Sequence, residues 1–168
     1  MYFPGHVAVS YLSSRYLKTE VKVAIAAGLF PDLVDKLCYY VFGLTPDARV
    51  PTHTLAGLVA TLLVVWIVGG LFRGPWLFAY SWALAYGLHL IADLLNGSLP
   101  FLWPFVSYDF IGYASVSENW MHANLFEVVV TIIVETCVSL WAFVIWRRQS
   151  RVRVRLADRL PVTGIRQL

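Results

Sequence analysis

Residues 54–72 read TLAGLVATLLVVWIVGGLF, 19 residues without a charge. As a helix, such a stretch rises by ~1.5 Å per residue and matches a hydrocarbon core of ~30 Å. It predicts a membrane-crossing helix. After a very short link, about Arg73-Gly74-Pro75, residues 74–92 (GPWLFAYSWALAYGLHLIA) give a second run of 19 that stops at Asp93. So short a link joins neighbouring antiparallel helices. A third run, Leu125 to Trp146, ends at Arg147-Arg148. It contains Glu127 and Glu135 and is therefore not expected to face lipid all round. Upstream, residues 21–44 are long enough to cross but contain Pro31, Asp32, Asp35 and Lys36. Proline breaks the helical ladder, and acids at that depth face protein or water. The segment therefore reads as a broken or re-entrant span, and residues 1–18 as an amphipathic helix. The expected class is all-α, a polytopic transmembrane helical bundle with three clear spans and this interrupted N-terminal segment.

Composition agrees with that class. Of 168 residues, 59% are hydrophobic and 14% charged, where soluble domains carry roughly 25% charged residues. A disordered chain and a basic nucleic-acid-binding domain are both excluded as the main character. Cys38 and Cys137 stand alone, so neither a disulfide framework nor a thiolate zinc site is indicated. The net charge of +3 is uneven: residues 147–168 hold seven of the 13 basic residues and one acid, Asp158. Residues 1–146 thus form one membrane-embedded domain and 147–168 a basic tail. Basic residues concentrate on the cytoplasmic side, so the C-terminus is expected inside, meeting lipid headgroups. No aromatic residue is interleaved with the arginines to suit nucleic acid. Working back, 96–123, free of Lys and Arg, falls outside, with Arg73 inside and Arg15, Lys18 and Lys22 inside if 21–44 crosses. The start does not read as a cleavable signal, because Pro4, Gly5 and His6 interrupt its apolar run. The expected location is the cell membrane, multi-pass.

Four places could carry chemistry. His89 and Asp93, four apart on a helix, share one face with Cβ atoms about 6 Å apart, as two ligands of one cation require. A hydrogen-bonded pair at the helix end reads equally well. Asp32 and Asp35 are three apart, and two close carboxylates repel unless a cation or a proton lies between them; an N-cap Asp32 and an Asp35 paired with lysine is the bland alternative. Thr52 is placed to cap the helix after it, with His53 pointing from the first turn and Arg49 offering a planar fork to a phosphate or carboxylate. His53 alone more often marks a headgroup contact. The fourth is His6, which alone is usually structural. Together these give six ligand-type groups in a polar-poor chain, and the cost of isolated charge in a membrane favours their convergence. His122, beside Trp120, is expected at the interface, and Glu135 within the bundle or behind a ligand histidine.

In this order the residues resemble the YdjM-type membrane-bound metal-dependent hydrolases. The resemblance is carried by His6, then Pro31-Asp32-Leu33-Val34-Asp35-Lys36, then Arg49 with Thr52-His53-Thr54. It continues through His89-Leu90-Ile91-Ala92-Asp93 and Leu94-Leu95-Asn96-Gly97 to Leu102-Trp103-Pro104-Phe105, covering roughly residues 5–105. The chain departs from the pattern at Ala48, where a histidine is usual, and in placing Asp35 three rather than two residues after Asp32. The resemblance implies a hydrolase of unspecified substrate.

The functional expectation is a divalent metal site, zinc by ligand type, near the outer membrane interface. His6, Asp32, His53, His89 and Asp93 are the expected ligands. Asp35 is either a bridging ligand or the general base, and Arg49 binds substrate. Such a metal acidifies bound water, and a pair of metals would clamp both oxygens of an in-line displacement. Phosphoesters or other lipid-linked or small molecules are the expected substrates, membrane lipids the surroundings, and no nucleic acid a partner. The rival readings are an ion or proton transporter or channel using the same cluster and a structural membrane protein whose polar residues join helices.

Overall fold

A computed structural model of the chain describes residues 3–71, 75–94, 99–108 and 125–159. Every regular element among them is helical: α1 (Phe3–Tyr16), α2 (Val21–Lys36), α3 (Leu55–Leu71), α4 (Pro75–Leu94) and α5 (Leu125–Arg159). A π-helical turn, Leu37–Val41, prolongs α2.

The Glu20 carboxylate caps α2 by accepting from the Val23 N–H at 2.7 Å. Contrary to expectation, Pro31 does not break this helix, which runs on to Lys36. The segment is neither interrupted at Pro31 nor re-entrant there, and Asp32 does not open a new helix. Proline forfeits one ladder bond, but side-chain bonds hold the following turn: Lys36 to Asp32, and Asp35 to Thr52 and His53. The cap of α3 is likewise Thr54 rather than Thr52, its hydroxyl accepting from the Gly57 N–H at 3.0 Å. Gly57 is required here because a Cβ would lie 2.6 Å from the Pro51 carbonyl oxygen. The segment 51–54 thereby folds tightly over the first turn of α3.

Small residues set the packing. Ala24 and Ala27 of α2 meet Ala85, Tyr86 and Leu90 of α4 in one core, with Leu99 closing it. Gly28 lets α1 approach α2, since a Cβ there would come within 2.0 Å of Ser10 Oγ. A second cluster joins Ala8 and Leu12 of α1 to Ala142 of α5. With its amide turned to satisfy both neighbours, Gln149 of α5 accepts from Arg15 and donates to the Tyr11 hydroxyl, fastening the far end of α1.

Two helical stretches, Trp76–Leu94 and Val128–Arg151, are long and apolar enough to cross a membrane, whereas Leu55–Leu71 is apolar but shorter. So two of the three expected spans meet the length requirement, and the third reaches 17 residues over its described part. The helix of the last run passes Arg147-Arg148 and continues to Arg159. The link at Arg73-Gly74, the turn at Asn96-Gly97, the segment bearing Trp120 and His122, the end of the tail and the Glu127 side chain lie outside the described residues.

The succession of helices decides where the chemistry sits. His6 lies near the start of α1, Asp32 and Asp35 near the end of α2, His53 just before α3, and His89 and Asp93 near the end of α4. Up-and-down packing brings these four ends together at one end of the bundle.

Candidate metal centre

One ligand atom from each of Asp32, His53, His89 and Asp93 lies within 4.8 Å of the other three, and all four residues are buried. That separation is compatible with bonds of ~2.0–2.2 Å to one shared ion. His53 Nε2 is 3.0 Å from His89 Nε2. Asp93 Oδ2 stands 3.3 Å from His53 Nε2 and 3.6 Å from His89 Nε2. Asp32 Oδ1 is 3.7 Å from His53 Nε2.

The outward-facing nitrogens fix what these imidazoles offer. His89 Nδ1 lies 2.8 Å from the Gly28 carbonyl oxygen. A carbonyl only accepts, so Nδ1 carries the proton and Nε2 of the neutral ring presents a lone pair. His53 Nδ1 lies 2.7 Å from Asp35 Oδ2 and donates to it, again leaving Nε2 toward the cluster. Two lone pairs facing each other at 3.0 Å, with two carboxylates alongside, repel unless a cation or a proton lies between them. Burial by itself would lower the His53 pKa, but hydrogen bonds and charges from Asp35 and Asp93 outweigh it and hold it above the ordinary imidazole value. The centre attracts positive charge, and its N2O2 donor set suits a zinc-type divalent ion.

Asp35 stands behind His53 rather than among the four. Its carboxylate is fully buried. Oδ2 accepts from the His53 backbone N–H at 3.0 Å as well as from Nδ1–H. Oδ1 accepts from the Thr52 N–H at 2.8 Å. The Thr52 hydroxyl is 2.7 Å from Oδ1 and 3.0 Å from the Pro31 carbonyl. The Tyr86 hydroxyl donates to the Thr52 carbonyl. Carboxylate, imidazole and ion in that order is the usual way a ligand histidine is oriented.

His6 is buried, with Nε2 3.3 Å from Asp93 Oδ1 and 3.8 Å from Asp32 Oδ2. Neither of its ring nitrogens has a hydrogen-bond partner among the described residues, nor does Asp32 Oδ2. Buried polar atoms without partners are rare and point to an ion or water. At the rim, the Lys36 ammonium lies 2.9 Å from Asp32 Oδ1, on a side chain 43% exposed. Arg49 sits on the loop leading to His53, its backbone N–H donating to Asp47 Oδ1 at 2.8 Å. Glu135 is buried on α5.

Of the residues singled out in sequence, His6, Asp32, Asp35, His53, His89 and Asp93 thus meet, and Arg49 is half-buried on the loop leading to His53. Sequence reasoning missed Tyr86 and Gly28 and gave Thr52 only a capping role. A tyrosine three residues before His89, on the same helical face, was the one available signal for Tyr86.

A family model described as YdjM inner membrane protein matches residues 3–157, through every helix named above. The chain belongs to the YdjM inner membrane protein family. No curated protein and no solved structure matches it significantly. In this YdjM-family chain, the His and Asp positions that carried the resemblance are those that gather in the buried cluster able to hold a metal ion.

Proposed function

We propose that this protein is a membrane-bound metal-dependent hydrolase whose site lies near the outer membrane interface, with phosphoesters or lipid-linked molecules as substrates. One observation carries the reading: His53 Nε2 and His89 Nε2 face each other at 3.0 Å beside Asp32 and Asp93. Asp32, His53, His89 and Asp93 hold the ion, zinc by donor type, and His6 stands beside them against Asp93. A divalent ion there supplies an acidified water, from ~15.7 toward ~7, and polarises the scissile group.

The chain's own residues do the rest. Gly28 and Asp35 keep the two imidazoles in the tautomer that presents Nε2. Asp35 acts as a positioning residue, because its four hydrogen bonds leave it no free direction for a ligand or base role. Lys36, the cation at the rim, and Arg49, on the loop beside His53, receive the anionic part of the substrate.

Membrane embedding is supported by the exposed apolar side chains of α3 and α5, among them Leu63, Ile67, Leu71, Phe126, Leu140 and Trp141. Apolar surface on that scale is costly in water. Gln149 fastens α5 to the end of α1 opposite His6, so the basic tail leaves the bundle from the end away from the metal centre. A cytoplasmic tail, as the positive-inside rule favours, supports a centre on the outer side.

The test is hydrolysis by detergent-purified, zinc-loaded protein of a panel of phosphomonoesters, phosphodiesters and lipid phosphates. Turnover in the wild type, lost in His89→Ala, is expected. Equal background rates for both proteins across the panel would overturn the proposal.

A further inference from the structure

Asp93 and Asp32 each divide their two oxygens between different imidazoles. Asp93 turns Oδ2 to His53 and His89 but Oδ1 to His6 at 3.3 Å. Asp32 turns Oδ1 to His53 and Lys36, and Oδ2 to His6 at 3.8 Å. On the His6 side, Nε2 and Asp32 Oδ2 are buried without hydrogen-bond partners among the described residues.

His6 does not converge on the same point as His89. The two rings stack with centroids 3.9 Å apart and planes 28° from parallel. Ligands of one tetrahedral ion approach it from widely separated directions. Here the two Nε2 atoms face different oxygens of Asp93 instead, His6 facing Oδ1 at 3.3 Å and His89 facing Oδ2 at 3.6 Å.

We infer that the centre holds a second divalent cation, bound by His6 Nε2, Asp32 Oδ2 and Asp93 Oδ1, with the two aspartates bridging it to the first. This rests on the metal-site reading above. The second position has three protein ligands, leaving room for water or a substrate oxygen, as catalytic metal positions do. A pair of cations bridged by carboxylates stabilises both the attacking and the leaving oxygen of an in-line displacement, which suits the phosphoester substrates proposed above.

The experiment is a Mn2+ titration of the full-length protein in detergent or nanodiscs, followed by equilibrium dialysis and by electron paramagnetic resonance. The wild type is expected to bind two Mn2+ per chain with an exchange-coupled spectrum. His6→Ala is expected to bind one, with an uncoupled six-line spectrum, and that retained ion shows that the variant is folded. Should His6→Ala not fold, His6→Gln serves, and the wild-type stoichiometry and coupling remain decisive. One Mn2+ per wild-type chain, uncoupled, overturns the second position and leaves the first standing, whether or not His6→Ala weakens it. A wild type that binds neither Mn2+ nor zinc overturns the metal reading itself.

Discussion

Asp35 shows how much of the His/Asp cluster depends on a residue that stands behind it. Its carboxylate fixes the Thr52–His53 backbone and the His53 tautomer together. Asp35→Asn keeps the size but loses an acceptor, so His53 is free to turn or to change tautomer. Loss of such a supporting group costs ~10–100-fold in metal affinity, measurable by competition with a chromophoric chelator, while the helical content stays as in the wild type. Unchanged affinity would count against the positioning role. Protons compete for the same lone pairs. Because the His53 pKa is raised, the empty site takes up a proton at pH values where an ordinary imidazole is neutral. Below the raised value, metal affinity should fall by about tenfold per pH unit for each proton displaced. Zinc titrations between pH 5.5 and 8.5 check the slope, and a flat profile would contradict it. At this scale the clustered residues were readable because histidine and aspartate are rare and expensive in an apolar chain. Tyr86 and Gly28 were not, because a tyrosine and a glycine in an apolar helix look like packing.

At the scale of elements, the centre requires α1 and α2 to approach closely enough for His6 to reach Asp32. Gly28 sets that distance. In Gly28→Ala the new methyl would meet Ser10 Oγ at 2.0 Å. Helix propensity gains about 1 kcal/mol from the change, but overpacking costs ~1–3 kcal/mol and pushes α1 outward. Thermal unfolding should show net destabilisation together with weaker metal binding. Adding Ser10→Ala, which removes the offending oxygen, should restore both; failure to restore either would mean that Gly28 acts in another way. The same scale shows where periodicity and composition mislead. Pro31 predicts a break, yet α2 continues, because bonds from Asp32 and Asp35 hold its last turn from outside the ladder. Those bonds span 17 residues or more in the case of Asp35, and a local reading of the sequence does not contain them.

For the molecule as a whole, apolar runs and charge asymmetry made the all-helical class legible, and the alternation of helix directions explains why residues 6, 32, 53, 89 and 93 meet. The length of α3 was less legible: its apolar stretch reads as 19 residues, but Thr54 caps the helix and its described end is Leu71. Topology gives a direct prediction. A reporter active only in the cytoplasm, fused at the C-terminus, should be active, whereas an impermeant thiol reagent applied from outside should reach a cysteine placed at Leu44, an exposed residue beyond the site end of α2. An inactive C-terminal reporter would reverse the orientation.

The metal content of the purified protein tests the central claim most directly. After dialysis against metal-free buffer, elemental analysis of the wild type should find at least one zinc-type divalent ion per chain, and His89→Ala and Asp93→Ala should each bind more than ~100-fold more weakly than it. A wild-type protein that is folded but binds no divalent ion when zinc is supplied, or variants that keep the full wild-type complement, would contradict the account.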